Sequence, residues 1–214
     1  NDQVITTPFT YIATAEVISL LGATPVFVDI YEKTFNINPD LIGEAVDFAS
    51  GKGLIPKAII PVDLFGLPAR HRVIEDEAKK YDLRIIEDAA QGFGGAIGKN
   101  KACSFGDVAS TSFFPAKPLG CYGDGGALLT NNKKIFDIAY SCHLHGMSKN
   151  KYKYERIGMN GRMDSIQAAV LIEKLSIFKK ELIKRQEIAD NYKRLFDDLK
   201  TPIFLPKIIQ RSKS

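Results

Sequence analysis

Short apolar runs alternate with amphipathic segments of helical period along the first part of the chain, and this alternation limits the folds it can adopt. The runs "QVITTP", "TPVFVDI", "KAIIPVDLFG" and "LRIIED" predict strands, because they are short and rich in β-branched residues. The segments "NPDLIGEAVDFA" and "ARHRVIEDEAKKY" predict helices, the first starting near Asn38 with Pro39 at its first position. Strands joined through helices pair in parallel by right-handed crossovers, so the sequence predicts an α/β fold with a mainly parallel sheet.

After Asp88 the pattern changes to strands without helices between them. "VASTSFF" and "GGALLT" predict two strands separated by glycine-rich turns, and the segment from Lys133 to His143 predicts a helix. A last long helix is expected from about Asp164 to Phe196, with Asp164 or Ser165 as its N-cap. The apolar residues expected to mark roughly one face of this helix are Ile166, Val170, Leu175, Phe178, Leu182, Ile188, Tyr192 and Leu195.

The charge pattern does not favour binding to nucleic acid or to membranes. The 214 residues carry a formal net charge of +4, and the excess comes mainly from lysines scattered through 149–153 and the last third of the chain. That distribution is too diffuse for a nucleic-acid surface. No apolar run reaches transmembrane length, and the opening "NDQVITTPFT" has neither the basic nor the apolar part of a signal peptide. We therefore expect a soluble protein.

The cysteines indicate a reducing compartment. Cys103, Cys121 and Cys142 are odd in number and form no CxxC or Cys/His metal spacing. We expect free thiols in the cytoplasm and no metal site.

Three acidic residues lie where predicted strands end. In an open parallel sheet, ligands bind beyond the carboxyl ends of the strands, and Asp63, Glu87 and Asp88 all fall at such ends. The alternative is that they cap or close turns, which acidic residues at strand ends often do. Spacing alone leaves both interpretations open.

A further candidate for a functional residue is Lys117. It lies in the stretch "FFPAKPLG", where prolines stiffen the backbone on both sides. An apolar setting favours the neutral amine of a lysine, which is a nucleophile. A lone lysine is more often a solvated surface residue. Taken with Asp88, however, Lys117 completes the pair that a pyridoxal phosphate enzyme needs: a lysine for the carbonyl of the cofactor and an aspartate for its ring nitrogen.

Several blocks in order resemble one family, the fold-type I, pyridoxal-phosphate-dependent sugar aminotransferases of the DegT/DnrJ/EryC1/StrS group. They include "PFTYIATAEVISLLGATPVFVDI", "TFNINPDLI", "VDLFGLPA", "IIEDAAQGFGG", "SFGDVASTSFFPAKPLGCYGDGGALLT", "HGMS" and "IGMNGRMDSIQAA". The resemblance implies an aspartate-aminotransferase-like large domain over 1–198, followed by the beginning of a small C-terminal α/β domain at 199–214. The chain lacks an initiating Met and opens inside a predicted strand, so we expect segments to be missing at both ends.

The resemblance also assigns roles to individual residues. Lys117 is similar to the Schiff-base lysine, and Asp88 to the partner of the pyridine nitrogen. Gln91 matches a hydrogen-bond partner near the phenolic oxygen, Tyr11 the aromatic residue that stacks on the ring, and Ser112 a hydroxyl donor to the phosphate. The structural alternatives are a turn-stabilising amide for Gln91, a core aromatic for Tyr11 and an alternating strand residue for Ser112.

Two further positions imply a homodimer with shared active sites. Asn160 and Arg162, in "GMNGRMD", match family residues that reach into the neighbouring subunit, Asn toward the cofactor phosphate and Arg toward the substrate. The alternative is that they cap the following helix. Other phosphate donors of the family come from a segment that would lie upstream of Asn1.

The implied reaction is transamination, with glutamate as the expected amino donor and a nucleotide-linked keto sugar as acceptor, for bacterial surface polysaccharides. A UDP-linked N-acetylated sugar is favoured by resemblance alone, and a C3 or a C4 ketone remains open. One alternative is a sugar dehydratase of the same group, but its relatives carry histidine in place of Lys117. Another is a non-catalytic regulator or scaffold that retains the fold.

Overall fold

The computed structural model describes residues 2–199, 203–208 and 212–213, and the alternation of strands and helices folds as the sequence predicts. The first half contains β1 (Asp2–Thr6), α1 (Ala13–Leu20), β2 (Thr24–Phe27), α2 (Ile42–Gly51), β3 (Ile55–Ile59), α3 (His71–Lys80) and β4 (Arg84–Asp88). The second half contains β5 (Ala96–Ile97), β6 (Asn100–Lys101), β7 (Val108–Ser112), β8 (Gly126–Leu129), α4 (Lys133–Cys142), α5 (Ser165–Leu199) and β9 (Ser212–Lys213). Short 3-10 turns occupy Pro39–Leu41 and Leu64–Gly66.

Six strands form the main sheet in the order β2-β1-β3-β4-β7-β8. All neighbouring pairs are parallel except β7 and β8, which are antiparallel. The predicted α/β fold with a mainly parallel sheet is therefore confirmed. β5, β6 and β9 form a separate small antiparallel sheet.

The local signals for the helices are confirmed in most places. The Asn38 side chain accepts a hydrogen bond from Asp40 N with Pro39 next to it, so this helix starts where the capping pattern places it, although its first turn is 3-10. The first core cluster packs α2 and α3 against one face of the sheet through apolar side chains, among them Ile5, Ala45, Ile59, Ile74 and Ile85.

The predicted packing face of α5 is only partly right. Val170, Phe178 and Leu182 pack with the buried Leu171 against the turn that follows β7. The other predicted members of that face are exposed: Ile166, Leu175, Ile188, Tyr192 and Leu195. Ile188, Tyr192 and Leu195 lie beyond the contacts that this 35-residue helix makes with the core cluster, so there the apolar periodicity extends beyond the surface it can pack on. Ile166 and Leu175 are exposed although neighbouring residues of the helix pack.

The predicted division into two domains concerns a part of the chain that the structure describes incompletely. Residues 200–202, 209–211 and 214 of the predicted small domain lie outside the described residues, as does Asn1. The division into 1–198 and 199–214 therefore stays a prediction. Within the described ranges, no helix has the length and apolar character needed to cross a bilayer.

Candidate active site

Two adjoining cavities lie beyond the carboxyl ends of β4 and β7. Their volumes are about 880 Å³ and about 260 Å³. Tyr11, Gln91, Ser112 and Lys117 line both, and Asp88 lines the smaller one. The structure thus brings five of the seven predicted site residues to one place, at the sheet edge where parallel strands present their ligands.

Asp88 is held at the end of β4 by main-chain and side-chain contacts. Its backbone N–H donates to Pro61 O over 2.9 Å, next to the neighbouring strand β3. Its Oδ1 accepts from Ala90 N over 3.1 Å, and its Oδ2 accepts from the Thr14 hydroxyl over 2.7 Å. Thr10 Oγ1 lies 3.0 Å from Thr14 Oγ1. Because Thr14 gives its one hydrogen to Asp88, Thr10 is the donor in that second contact.

Gln91 is oriented by the turn that follows Asp88. Its Oε1 accepts from the backbone N–H of Phe65 over 2.8 Å. The amide oxygen is therefore occupied, and the two hydrogens of the amide nitrogen remain for a ligand acceptor. The predicted contact with a phenolic oxygen requires such a hydrogen-bond donor.

Ser112 and Lys117 lie on either side of a tight turn after β7. Ser112 Oγ accepts from Phe114 N over 3.2 Å, which leaves its hydroxyl hydrogen for a ligand. Lys117 N donates to Phe114 O over 2.9 Å, so the backbone that carries this half-buried side chain is fixed. The following loop is tied to α5 because Lys174 Nζ donates to Gly120 O over 2.6 Å.

The other predicted residues occupy different environments. Tyr11 is 69% exposed, so it belongs to the wall of the cavity and not to the core. Asn160 and Arg162 are exposed and do not line either cavity, and Asn160 forms a backbone bridge to Leu144. Their predicted action in a neighbouring subunit stays a prediction.

Asp63 and Glu87 do not line the cavities but form a buried cluster with His71. Their side-chain ligand atoms lie within 4.8 Å of one another, and the three residues are at most 1% exposed. Asp63 Oδ1 accepts from Ala69 N and is paired with His71 Nε2, each over 2.9 Å. Glu87 holds a distant loop and not the turn after its own strand, because Oε1 accepts from Cys103 N over 2.6 Å and Oε2 from Phe105 N over 2.8 Å.

Burial changes the proton affinity of every member of this cluster. Desolvation is the main cause that raises the pKa of Asp63 to about 7 and the pKa of Glu87 to about 8, and for Glu87 the nearby charge of Asp63 acts in the same direction. Desolvation also lowers the pKa of His71 to about 4, so the imidazole is neutral at ordinary pH. The His71 ring stacks on Phe105 with 4.1 Å between centroids.

Sequence reasoning missed Thr14 and Thr10 and gave Asp63 no role. The available signal for the threonines was their spacing of four residues around the start of a helix, which places both hydroxyls on one face. The residues that form the Asp63 cluster are separated by up to 24 positions along the printed sequence, and no local pattern joins them.

Comparisons with known proteins agree with this fold. The model of the DegT/DnrJ/EryC1/StrS aminotransferase family matches residues 1–213. Over 192 residues the chain is 46% identical to UDP-2-acetamido-2-deoxy-3-oxo-D-glucuronate aminotransferase of Pseudomonas aeruginosa, covering 90% of this chain and 52% of the relative. It is 42% identical over 198 residues to a pleiotropic regulatory protein of Geobacillus stearothermophilus, covering 92% and 51%. The chain thus spans about half the length of these curated relatives.

Two solved structures are similar throughout the chain. A crystal structure of a DegT/DnrJ/EryC1/StrS aminotransferase from Brucella abortus has a TM-score of 0.95 and 45% identity, covering 100% of this chain and 57% of that one. A Bacillus subtilis structure with bound cofactor PMP has a TM-score of 0.84 and 32% identity, covering 98% and 47%. The chain belongs to the DegT/DnrJ/EryC1/StrS aminotransferase family, whose aminotransferases depend on pyridoxal phosphate.

The side chains at the cavity fit that cofactor. They offer a carboxylate for the ring nitrogen in Asp88, an amine for the aldehyde in Lys117 and an amide donor in Gln91. A hydroxyl donor for the phosphate is present in Ser112.

Proposed function

We propose that the complete protein catalyses transamination between glutamate and a nucleotide-linked keto sugar, with pyridoxal phosphate as cofactor. The observation that carries this proposal is the convergence of Asp88, Gln91, Ser112 and Lys117 on one cavity. These groups come from two strand ends that are far apart in sequence but adjacent in the sheet. Their types are those that the cofactor needs from its protein.

Asp88 keeps the ring nitrogen protonated, and the Thr10–Thr14 hydroxyl chain holds its carboxylate in position. Bound there, pyridoxal phosphate supplies an electron sink for the pair left when the Cα–H bond of the amino donor breaks. Lys117 would accept the proton from that carbon and return it at C4′ of the cofactor, so that the amino group would stay with the cofactor when the oxo acid leaves. The hydrogen bond from Lys117 N to Phe114 O holds the backbone of Lys117. This narrows the set of positions that the side-chain amine can reach.

The remaining residues bind and orient the cofactor. Ser112 donates its hydroxyl hydrogen to the phosphate, and Gln91 donates an amide hydrogen to the phenolic oxygen. Tyr11 covers one face of the planar ring and excludes water from it.

For the substrate we infer a UDP-linked N-acetylated keto sugar used for bacterial surface polysaccharides. The name of the Pseudomonas aeruginosa relative, at 46% identity, supports this class. The active unit in this proposal is a homodimer, in which Asn160 and Arg162 serve the neighbouring site. Their exposure is what such a role needs. The free cysteines Cys103, Cys121 and Cys142 support a cytoplasmic location.

The test is the half-reaction with the amino donor. The complete protein is loaded with pyridoxal phosphate and mixed with glutamate, and 2-oxoglutarate is measured against cofactor. We expect one 2-oxoglutarate per bound cofactor, followed by turnover when a UDP- or dTDP-linked 3-keto or 4-keto sugar is added. Lys117→Arg is the control and should form none. Wild-type protein that binds cofactor but yields no oxo acid with any common amino acid would reject transamination.

A second candidate is regulation without catalysis. It is favoured by the 42% identity to a pleiotropic regulatory protein. The two functions separate in the same experiment, because a regulator that has lost catalysis gives no oxo acid and no dependence on Lys117.

A further inference from the structure

The proposed reaction uses Asp88 but not the three buried ionisable groups behind it. Glu87 and Asp88 are consecutive on β4, so their side chains point to opposite faces of the strand. Asp63 lies beside them because its backbone N–H donates to Asp88 O over 2.9 Å. Asp63 and Glu87 are 0% exposed and His71 is 1% exposed.

The hydrogen bonds of this cluster favour a proton on at least one of its two carboxyl groups. Oδ1 of Asp63 already accepts from Ala69 N and His71 Nε2, and each oxygen of Glu87 accepts a backbone N–H. Within the described part of the chain, Asp63 Oδ2 is buried and accepts no hydrogen bond, and the Glu87 carboxyl group lies close by, with ligand atoms of the two residues within 4.8 Å of each other. A buried oxygen without a donor is costly, so the arrangement is stable when the pair holds at least one proton.

The glycine next to the pair keeps it compact. A Cβ atom at Gly92 would lie 2.7 Å from Asp63 Cβ and 2.8 Å from Asp63 Oδ2. The turn that carries Gln91 is therefore packed directly on the Asp63 carboxyl group, which links the cluster to both polar ends of the proposed ring site.

We propose that Asp63 and Glu87, oriented by His71, form a positioning site for the cofactor ring, in which the carboxyl pair releases its shared proton when a cationic ring binds at Asp88. The inference rests on the proposed function, because it needs a pyridinium ring at Asp88. The released proton goes to solvent, and the pair changes from one negative charge to two. The negative charges of the Asp63–Glu87 pair and of Asp88 then together attract the protonated ring nitrogen.

The direction of the effect follows from the charges that face the pair. These are Asp88 on β4, His71 on α3, which itself is near Glu75, and the Cys103 thiol in the loop before β7. Of these, His71 is neutral, and burial raises the pKa of Cys103 to about 12, so neither supplies charge near neutrality. A bound cation favours the ionised pair, so binding strengthens as the pH rises through the titration of the pair.

Asp63→Asn is the variant that tests this. An Asn side chain keeps Oδ1 as acceptor for Ala69 and His71 and can donate from Nδ2 to Glu87, so the hydrogen bonds survive but the shared proton is gone. The matched control is Asp107→Asn. Asp107 Oδ2 accepts from Ile85 N over 2.9 Å at the other end of the same strand, away from Asp88.

The experiment measures the dissociation constant of pyridoxamine phosphate for the complete protein against pH. This probe carries the ring and the phosphate but forms no covalent bond with Lys117. We expect Asp63→Asn to bind at least as tightly as wild type near about pH 6, where protonation of both raised carboxyl groups leaves the wild-type pair with little charge, and about threefold to tenfold more weakly near about pH 9. Asp107→Asn should keep a constant ratio to wild type.

A ratio for Asp63→Asn that does not change with pH would overturn the inference, since a purely structural defect gives a constant loss. If Asp63→Asn does not fold, infrared spectra of wild type replace it: a protonated carboxyl band near neutral pH should disappear on binding, and its absence overturns the inference. Wild type that binds no probe at any pH rejects the proposed function together with the inference. Binding with a constant ratio rejects the inference alone.

Discussion

The hydroxyl of Thr14 donates to Oδ2 of Asp88 over 2.7 Å, across 74 positions of sequence. Thr14 is in the first turn of α1 and is 5% exposed, while Asp88 is the last residue of β4. The contact joins the first helix to the strand end that carries the proposed cofactor partner. Both α1 and β4 therefore determine how the Asp88 carboxylate is oriented.

Thr14→Val should weaken cofactor binding while leaving the fold intact. Val has nearly the shape of Thr but cannot donate, so Asp88 loses one of its two donors, Ala90 N being the other. We expect the dissociation constant of pyridoxamine phosphate to rise about tenfold, because a hydrogen bond to a charged group contributes about 1.5–3 kcal/mol. Fluorescence titration measures it. Thr14→Ser is the control, and a Ser variant as weak as the Val variant would remove the hydroxyl from the explanation.

Gln91→Glu should separate the two ends of the Gln91 side chain. Glu keeps an acceptor for Phe65 N–H but replaces the amide donor with an oxygen. We expect thermal stability within about 1 kcal/mol of wild type and cofactor affinity lower by about tenfold or more, because the new charge faces the phenolic oxygen. Unchanged affinity would show that the amide nitrogen does not contact the ring.

Stability should depend on pH through the buried carboxyl pair. The pKa values of Asp63 and Glu87 are raised to about 7 and about 8, so their contribution is full below their ordinary carboxyl range and is lost as the pH rises through the raised values. His71 acts in the opposite direction, because its pKa is lowered to about 4 and its contribution is lost as the pH falls toward that value.

Without cofactor, the free energy of unfolding of Asp63→Asn should therefore rise relative to that of wild type by about 1–2 kcal/mol as the pH rises from about 6 to about 9. Thermal unfolding at several pH values measures the difference, and Asp107→Asn should show no such trend. A difference between wild type and Asp63→Asn that is flat across this range contradicts the shared proton.

Gly92→Ala should destabilise the protein. The added methyl group would lie 2.7 Å from Asp63 Cβ, and Asp63 has no room to move because it is completely buried. We expect a loss of about 1–3 kcal/mol in the free energy of unfolding, typical of overpacking. Gly51→Ala is the matched control, since a Cβ there meets nothing within 4 Å and Ala favours the end of α2. Equal stability of the two variants would show that the Asp63 cluster tolerates expansion.

The fold was predictable from sequence because its signals are local. Short apolar runs rich in β-branched residues predicted the main parallel strands, segments of helical period predicted the crossovers, and the Asn38–Pro39 pair predicted a helix start. The face of α5 was predicted less well. Periodicity reports which residues are apolar but not how much surface is available, and Ile188 and Tyr192 are exposed in the described chain.

The candidate site, like the fold, was predicted from the sequence only in part. Asp88 and Lys117 could be chosen because each follows a strand and has a side chain suited to one end of a known cofactor. The Thr14–Asp88 contact and the Asp63–His71–Glu87 cluster join residues from different elements, and only the tertiary packing brings them together. Burial also decides the proton affinity of Glu87, and burial is not readable from a residue that could equally close an exposed turn.

The central claim is that Lys117 and Asp88 belong to one cofactor site, and the most direct measurement concerns Lys117. The complete protein is loaded with pyridoxal phosphate, reduced with borohydride, digested and analysed by mass spectrometry. The account predicts a pyridoxyl group on Lys117, and its loss in Lys117→Arg. A protein that stays colourless and carries no adduct on Lys117 would contradict the account and favour the regulatory function.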